Sequence, residues 1–195
     1  MGNKNHLRNR NGRINIASDN HPIIRIFKEK KLFPKTVLEI GCSTGFILKK
    51  IYKITGAKCY GIDISKAAIK EGKKLFKKIE LYNGFFERSN LSKKKYDLII
   101  FGFFLFLTHP ENILNLFAKV NNSLKINSYL IIYDFYNKYY VKKNYKHDKK
   151  LKVYRYDYKK IFLSIPNFQL VKVKKIYNTK MKDYVEVSLI KKIKI

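Results

Sequence analysis

The strongest constraint in this chain is an alternation. Between about residues 34 and 135, short apolar runs are separated by segments whose apolar residues recur at helical spacing. The runs are Thr36–Ile40, Lys58–Ile64, Ile79–Tyr82, Tyr96–Phe101 and Tyr129–Asp134. Near-continuous apolar runs of this length are what a strand covered on both faces requires. The segments between them each show one helical face: Phe46, Ile47, Ile51 and Ile54; then Ala67, Ile69 and Phe76; then Ile113, Leu114, Phe117, Val120 and Leu124. Repeated units of this kind fold as right-handed crossovers around a parallel sheet.

The two ends depart from the pattern. Residues 1–20 are rich in Asn, Arg and Gly without periodicity and read as a flexible basic arm. His21–Lys31 then forms a short amphipathic helix on Ile23, Ile24 and Phe27, and Pro34 breaks it. Residues 135–157 are a Lys- and Tyr-rich insert after the fifth strand, a place where long insertions often form lids over a ligand. A short helix over Tyr158–Ser164 ends at Pro166. Phe168–Tyr177 and Tyr184–Lys191 alternate apolar with polar residues around Asn178–Asp183, a hairpin signature. The expected architecture is α/β and Rossmann-like: a mostly parallel seven-stranded sheet with a C-terminal antiparallel hairpin, in one domain over residues 21–195.

Length and composition agree. A chain of 195 residues fits one domain, and 46% hydrophobic residues can build a core. The net charge of +29 points at first to a polyanion. It is carried by Lys dispersed along the whole chain, alongside abundant Asn, Ile, Tyr and Phe and scarce Gly (9), Pro (4) and Trp (0). That is the profile of A/T-rich codons, so a solvated Lys-rich surface accounts for it and a nucleic-acid partner is not favoured. The two cysteines, Cys42 and Cys59, are too few for a disulfide framework or a metal site and read as buried reduced thiols of a cytoplasmic protein. The longest apolar run, Leu98–Leu107, is about half the roughly twenty residues of a membrane span.

The first run ends in Glu39-Ile40-Gly41, followed by a turn closed by Gly45 and then a helix. Gly41 permits a sharp turn and close approach of a ligand, and the helix start presents free N–H groups there. By itself the loop is also an ordinary tight turn. Asp63 ends the second run about twenty residues on, where a carboxylate can accept hydrogen bonds from vicinal ribose hydroxyls. Ser65 is the better helix cap. A nicotinamide dinucleotide fits poorly: only Gly41 and Gly45 of the required glycines are present, and Glu39 would face a pyrophosphate.

Four stretches together resemble the class I S-adenosylmethionine-dependent methyltransferase family: Val37–Gly45, Tyr60–Ser65, Lys95–Ile100 and Leu124–Ile132, in matching order and spacing. The resemblance implies S-adenosylmethionine as cofactor. It implies that Glu39 supports the loop and the methionine ammonium, and that Gly41, Cys42 and Gly45 line the methionine part. Asp63 would hold the ribose and Ile64 would pack on adenine. Asn83, Gly84 and Phe85 would sit at the adenine edge, and Phe101 and Gly102 under the methyl donor. Ser43 replaces a commonly found Gly. Phe85 stands where many members have an Asp for the adenine amino group, so adenine contacts would rest on backbone and stacking.

The acceptor is less legible. Phe101–Phe106 lacks the Asn/Asp-Pro-Pro-aromatic motif of enzymes that methylate base amines. Candidate acceptor-side groups are Asp134 at the fifth strand's end, His109 before Pro110, and Tyr145 and His147 in the insert. Ordinary roles for these are a turn cap, a helix cap and an exposed imidazole. Tyr154–Leu163 with Asn167-Phe168 resembles a tail of methyltransferases encoded with bacterial surface-polysaccharide and flagellin-sugar pathways, with Arg155 and Asp157 as acceptor contacts or an ion pair. The expected function is methyl transfer to a small-molecule or sugar-linked acceptor. The alternatives are an RNA methyltransferase, using Arg8, Arg10 and Arg13 of the arm, and a non-catalytic cofactor-binding protein.

Overall fold

The computed structural model describes residues 19–179 and 181–194, so the expected arm, apart from its last two residues, lies outside the described residues. Helix α1 (Pro22–Glu29) precedes strand β1 (Thr36–Ile40) and helix α2 (Phe46–Thr55). Then come β2 (Lys58–Asp63), α3 (Lys66–Leu75), β3 (Glu80–Asn83) and β4 (Tyr96–Gly102). Helix α4 (Pro110–Ser123) leads into β5 (Leu124–Phe135). A separate pair, β6 (Val141–Tyr145) and β7 (Asp148–Arg155), follows, then α5 (Lys159–Leu163), β8 (Phe168–Asn178) and β9 (Asp183–Lys192).

Seven strands form one sheet in the order β3-β2-β1-β4-β5-β9-β8. The first five are parallel; β9 runs antiparallel to both β5 and β8. The expected Rossmann-like sheet with its C-terminal hairpin is therefore present. Strand alternation sends successive side chains to opposite faces. Val37, Leu98, Ile100 and Ile131 pack with α1 and α2; Leu38, Ile99, Phe101, Leu130 and Ile132 pack with α4 and α5.

The Lys95–Ile100 stretch is a clamp as well as a strand. The Asp97 carboxylate accepts from the backbone N–H groups of Lys35 (3.0 Å) and Thr36 (2.8 Å), and Lys125 Nζ lies 2.8 Å away. These bonds tie the start of β1 to the start of β4 and fix their tips in register.

Two boundaries differ from the sequence reading. Strand β5 begins at Leu124, five residues before the expected Tyr129, with Asn127 taking a positive φ of 61° where the run bends. The 135–157 insert carries regular structure: β6 and β7 make an antiparallel ribbon joined at Lys146-His147, with Lys143 opposite Val153. Val153, Tyr145 and Phe106 bury one another beneath it.

Candidate functional site

The carboxyl ends of β1, β2, β4 and β5 open into one cleft of about 1100 Å³, roofed by the β6–β7 ribbon. Its floor is the β1–α2 turn. Gly41 has φ +78°, and a Cβ there would sit 2.5 Å from the Phe104 ring, so only glycine suits the position. Gly72 on α3 plays a complementary part. A Cβ there would lie 2.4 Å from the Thr44 carbonyl oxygen, so its absence lets α3 press against the turn.

Asp63 fastens the turn from the neighbouring strand. Its Oδ2 accepts from Ser43 N–H (2.8 Å) and its Oδ1 from Ser65 N–H (2.8 Å). Ser65 caps α3 by accepting from Ala68 N–H. Asp63 is thus free of the capping role, and each carboxylate oxygen keeps acceptor capacity toward the cleft.

Glu39 lines the same cleft at 4% exposure, and its Oε2 has no hydrogen-bond partner. Burial, reinforced by the nearby Asp63 charge, pushes its carboxyl well above the usual range. Leaving a charged-type acceptor buried and unmet is costly. A cationic ligand group beside it removes that cost. The residues therefore fit S-adenosylmethionine: an unmet carboxylate for a cation, a close-approach turn, and a second carboxylate for hydroxyls. Ile64 (44% exposed) and Phe85 (58% exposed) supply uncovered apolar surface on the same rim, with the Arg88 guanidinium 5.7 Å from the Phe85 ring centre.

The other proposed cofactor residues divide. Gly41, Cys42, Asp63, Ile64, Gly84, Phe85 and Gly102 line the cleft with Glu39. Phe101 does not: strand alternation turns it to the opposite face, where it is fully buried and stacked between Phe104 and Phe117. Asn83 also stays outside, its side chain donating to the Asp63 carbonyl (2.9 Å). Gly45 serves as the α2 N-cap in left-handed conformation. The Cys42 thiol is pushed well up by burial, so it acts as a small apolar wall.

On the acceptor side, Asp134 is placed differently from expectation. It is buried beneath the Leu105–Leu107 turn, and its Oδ2 accepts from the N–H groups of Phe104, Leu105 and Phe106 (2.7–3.3 Å). Burial raises its carboxyl to about 7 against these bonds. It caps a turn rather than facing the cleft. His109 and His147 both line the cleft, as does Tyr145, whose ring meets that of His147. His109 is an N-cap by position yet makes no side-chain cap bond; its Nδ1 lies 3.4 Å from Glu111 and its ring meets Tyr154 edge-on. Arg155 pairs with Asp183, while Asp157 is buried 2.5 Å from Lys159, so the two are not partners.

His21 was missed. It caps α1 through Nδ1, meets the Tyr133 ring edge-on at 5.3 Å and lines the cleft. Burial lowers its pKa to about 4, so the ring is neutral at pH 7. With Nδ1 accepting from Ile23 N–H (3.3 Å), the assigned tautomer leaves Nε2–H as a donor. The available signal was His21-Pro22, the same dipeptide as His109-Pro110 at the other helix start.

This combination of sheet, turn and paired strand-tip carboxylates defines a class I S-adenosylmethionine-dependent methyltransferase. A family profile described as "Methyltransferase domain" matches residues 34–184, and the chain belongs to that family. No curated protein matches the sequence. Among solved structures, the fold is similar to the 1,6-didemethyltoxoflavin-N1-methyltransferase of Burkholderia thailandensis, solved with 1,6-didemethyltoxoflavin and S-adenosylhomocysteine (12% identity, 98% of this chain and 87% of that one, TM-score 0.76). It is also similar to the magnesium protoporphyrin IX methyltransferase of Synechocystis PCC 6803 with bound cofactor (15%, 87% and 76%, TM-score 0.64). A third is a plantazolicin methyltransferase in complex with a monoazolic desmethyl-plantazolicin analogue and S-adenosylhomocysteine (18%, 87% and 80%, TM-score 0.62). Among the described residues no cluster of His, Cys, Asp or Glu could hold a metal ion, and no helix is long and apolar enough to cross a membrane.

Proposed function

We propose that this methyltransferase acts on a small organic acceptor held in the outer half of the cleft, with residues 21–195 working as one catalytic domain. The observation that carries the reading is the cleft itself. At about 1100 Å³ it exceeds the roughly 300–1,000 Å³ of a site for one drug-sized ligand, so it has room for a cofactor and a small acceptor under the ribbon. The protoporphyrin, toxoflavin and plantazolicin enzymes that share the fold are named for organic acceptors of this general kind.

When bound, S-adenosylmethionine supplies a methyl group on a sulfonium, open to in-line displacement. The protein's part is alignment and exclusion of water. Glu39 and the Gly41 turn hold the methionine end, Asp63 the ribose, and Ile64 and Phe85 the adenine. Phe103, Phe106 and Phe135 wall the acceptor space, with ring centres 5.0–6.4 Å apart. His109 and His147 are the imidazoles that line that side; Asp134 is a support for the wall. The location we assign is cytoplasmic, in keeping with the two free, buried cysteines.

A sugar-linked acceptor of surface-glycan synthesis is the narrower form of the same reading, supported by the tail resemblance alone. The RNA reading draws on the +29 charge. Titration with S-adenosylhomocysteine tests the core claim: a folded protein that does not bind it ends the reading. Labelled-methyl transfer into small-molecule and RNA fractions of a cell extract separates the acceptors. Cofactor binding with transfer to neither favours a non-catalytic protein.

A further inference from the structure

Charge is divided across the cleft. The carboxylates that line it, Glu39, Asp63 and Glu87, all lie in the cofactor half, together with one cation, Arg88, beside the Phe85 ring. The opposite half carries Lys143, Lys146 and Arg155 and no lining carboxylate. Chain-wide lysine excess accounts for exposed lysines such as Lys143 and Lys146 on the cleft rim, but it does not explain Arg155. Arginine is scarce here: the described residues contain only Arg25, Arg88 and Arg155. A planar guanidinium is a different instrument from an ammonium. It recognises planar anions side-on and stacks on rings.

Arg155 is built into the site. Its guanidinium carbon lies 4.4 Å from the Phe135 ring centre, and its side chain is 16% exposed. Asp183 engages Nη1, which holds the fork in place, while Nε is shielded from solvent and meets no acceptor. The hydrogen-bonding capacity of a largely buried cation is therefore unfilled. Beside it, Phe103 adopts φ 51°. This conformation is strained for a bulky residue, and in it the ring meets Tyr133 at 4.6 Å and Phe135 at 5.2 Å. Backbone strain is thus accepted where it completes an aromatic wall of tilted and edge-on rings leading to the guanidinium.

We propose that the methyl acceptor is a planar aromatic anion, its ring along Phe103, Phe106 and Phe135 and its carboxylate or phosphate at Arg155, with Lys143 and Lys146 adding positive potential. The inference rests on the methyltransferase reading and adds the acceptor's chemical class. A fixed anionic anchor at one end of a flat ring sets the other end toward the cofactor half, which is the alignment that in-line displacement needs.

The test uses full-length protein saturated with S-adenosylhomocysteine and three probes: naphthoate, naphthyl phosphate and neutral naphthamide. At least one anion should bind about tenfold tighter than the amide, the scale of one charge-assisted contact. Arg155→Gln should erase that preference. Because this variant also strands Asp183, a Lys143→Ala/Lys146→Ala double variant, altering two exposed side chains, should narrow the preference several-fold in an undisturbed fold. Equal binding of all three probes, binding of none at millimolar concentration, or a preference unchanged in both variants overturns the inference. So does methyl transfer into a short single-stranded RNA that the anions do not inhibit. Failure of the initial S-adenosylhomocysteine saturation counts against the methyltransferase reading instead.

Discussion

Glu39→Gln isolates the electrostatics of the cofactor seat. The glutamate side chain is shut into the β1 tip with Oε2 unmet, and burial holds its carboxyl well above the ordinary range. Without cofactor, this group contributes stability that is full below its unfolded pKa of about 4.3 and is lost as pH rises through the raised folded value. A bound ammonium gives the ionised form a partner and lowers that value, so binding expels a proton and tightens with rising pH. A hydrogen bond to a charged group is worth about 1.5–3 kcal/mol. Its loss in Glu39→Gln should therefore weaken S-adenosylhomocysteine binding by about tenfold to a hundredfold. The same substitution removes a desolvated ionisable group at constant shape, so the cofactor-free variant should be at least as stable as the parent at neutral pH. Calorimetry between about pH 5 and pH 7, in two buffers of different ionisation enthalpy, measures affinity and proton release together. Equal affinity of Gln and Glu, or an undiminished proton release in the variant, refutes the reasoning.

Asp63→Ala should lower cofactor affinity by a similar factor and also destabilise the protein. It removes the acceptors of Ser43 and Ser65 N–H as well as the proposed contact to a ribose; calorimetry and a melting curve would show both effects. Gly41→Ala should lose cofactor binding and about 1–3 kcal/mol of stability, through a positive φ and the clash with Phe104; a melting temperature equal to the parent's contradicts this. Asp134→Ala should cost about 2–4 kcal/mol in denaturant melts by orphaning the Phe104–Phe106 N–H groups, while leaving S-adenosylhomocysteine affinity within about threefold. His21, with pKa lowered to about 4, contributes stability that is full above about pH 6.5 and lost as pH falls through 4. His21→Asn, which keeps a cap, should flatten that acid loss.

The parallel sheet was legible because its strands are short apolar runs set between one-faced helices, and those patterns depend on neighbours in sequence. The turn and Asp63 were legible for the same reason: each sits at the end of a run. Phe101 shows where the reading stops. In a run apolar on both faces, nothing local tells which face a given residue takes. One step of alternation separates Phe101, in the core on α4, from Gly102, whose missing Cβ would lie 3.4 Å from Glu39 Oε1. The ribbon escaped for another reason. Val141, Tyr145, Leu151 and Val153 have strand spacing, but lysines fill the positions between them and Tyr154 is buried on the other side, so the alternation is blurred. His21 escaped because its partner, Tyr133, is on β5, far along the chain.

The departures from local rules are concentrated around the cleft. Among the described residues, three of the five buried polar side-chain atoms without a partner, on Glu39, Thr44 and Arg155, belong to residues that line it. Ser43 and Phe103, both with positive φ, line it too. Elsewhere the exceptions are scattered, with positive φ at Lys31, Asn127 and Lys182 and unmet buried oxygens on Asn121 and Asn167, while α1, α3 and α4 begin at His-Pro pairs or at Ser65 and strands fill both faces of the sheet with aliphatic side chains. A cluster of local-rule exceptions in one place marks that place as functional. Here the exceptions are also of two kinds, an unmet anion in the inner half and an incompletely met cation in the outer half. No single ligand charge satisfies both. A cationic cofactor in the inner half and the proposed anionic acceptor in the outer half together would.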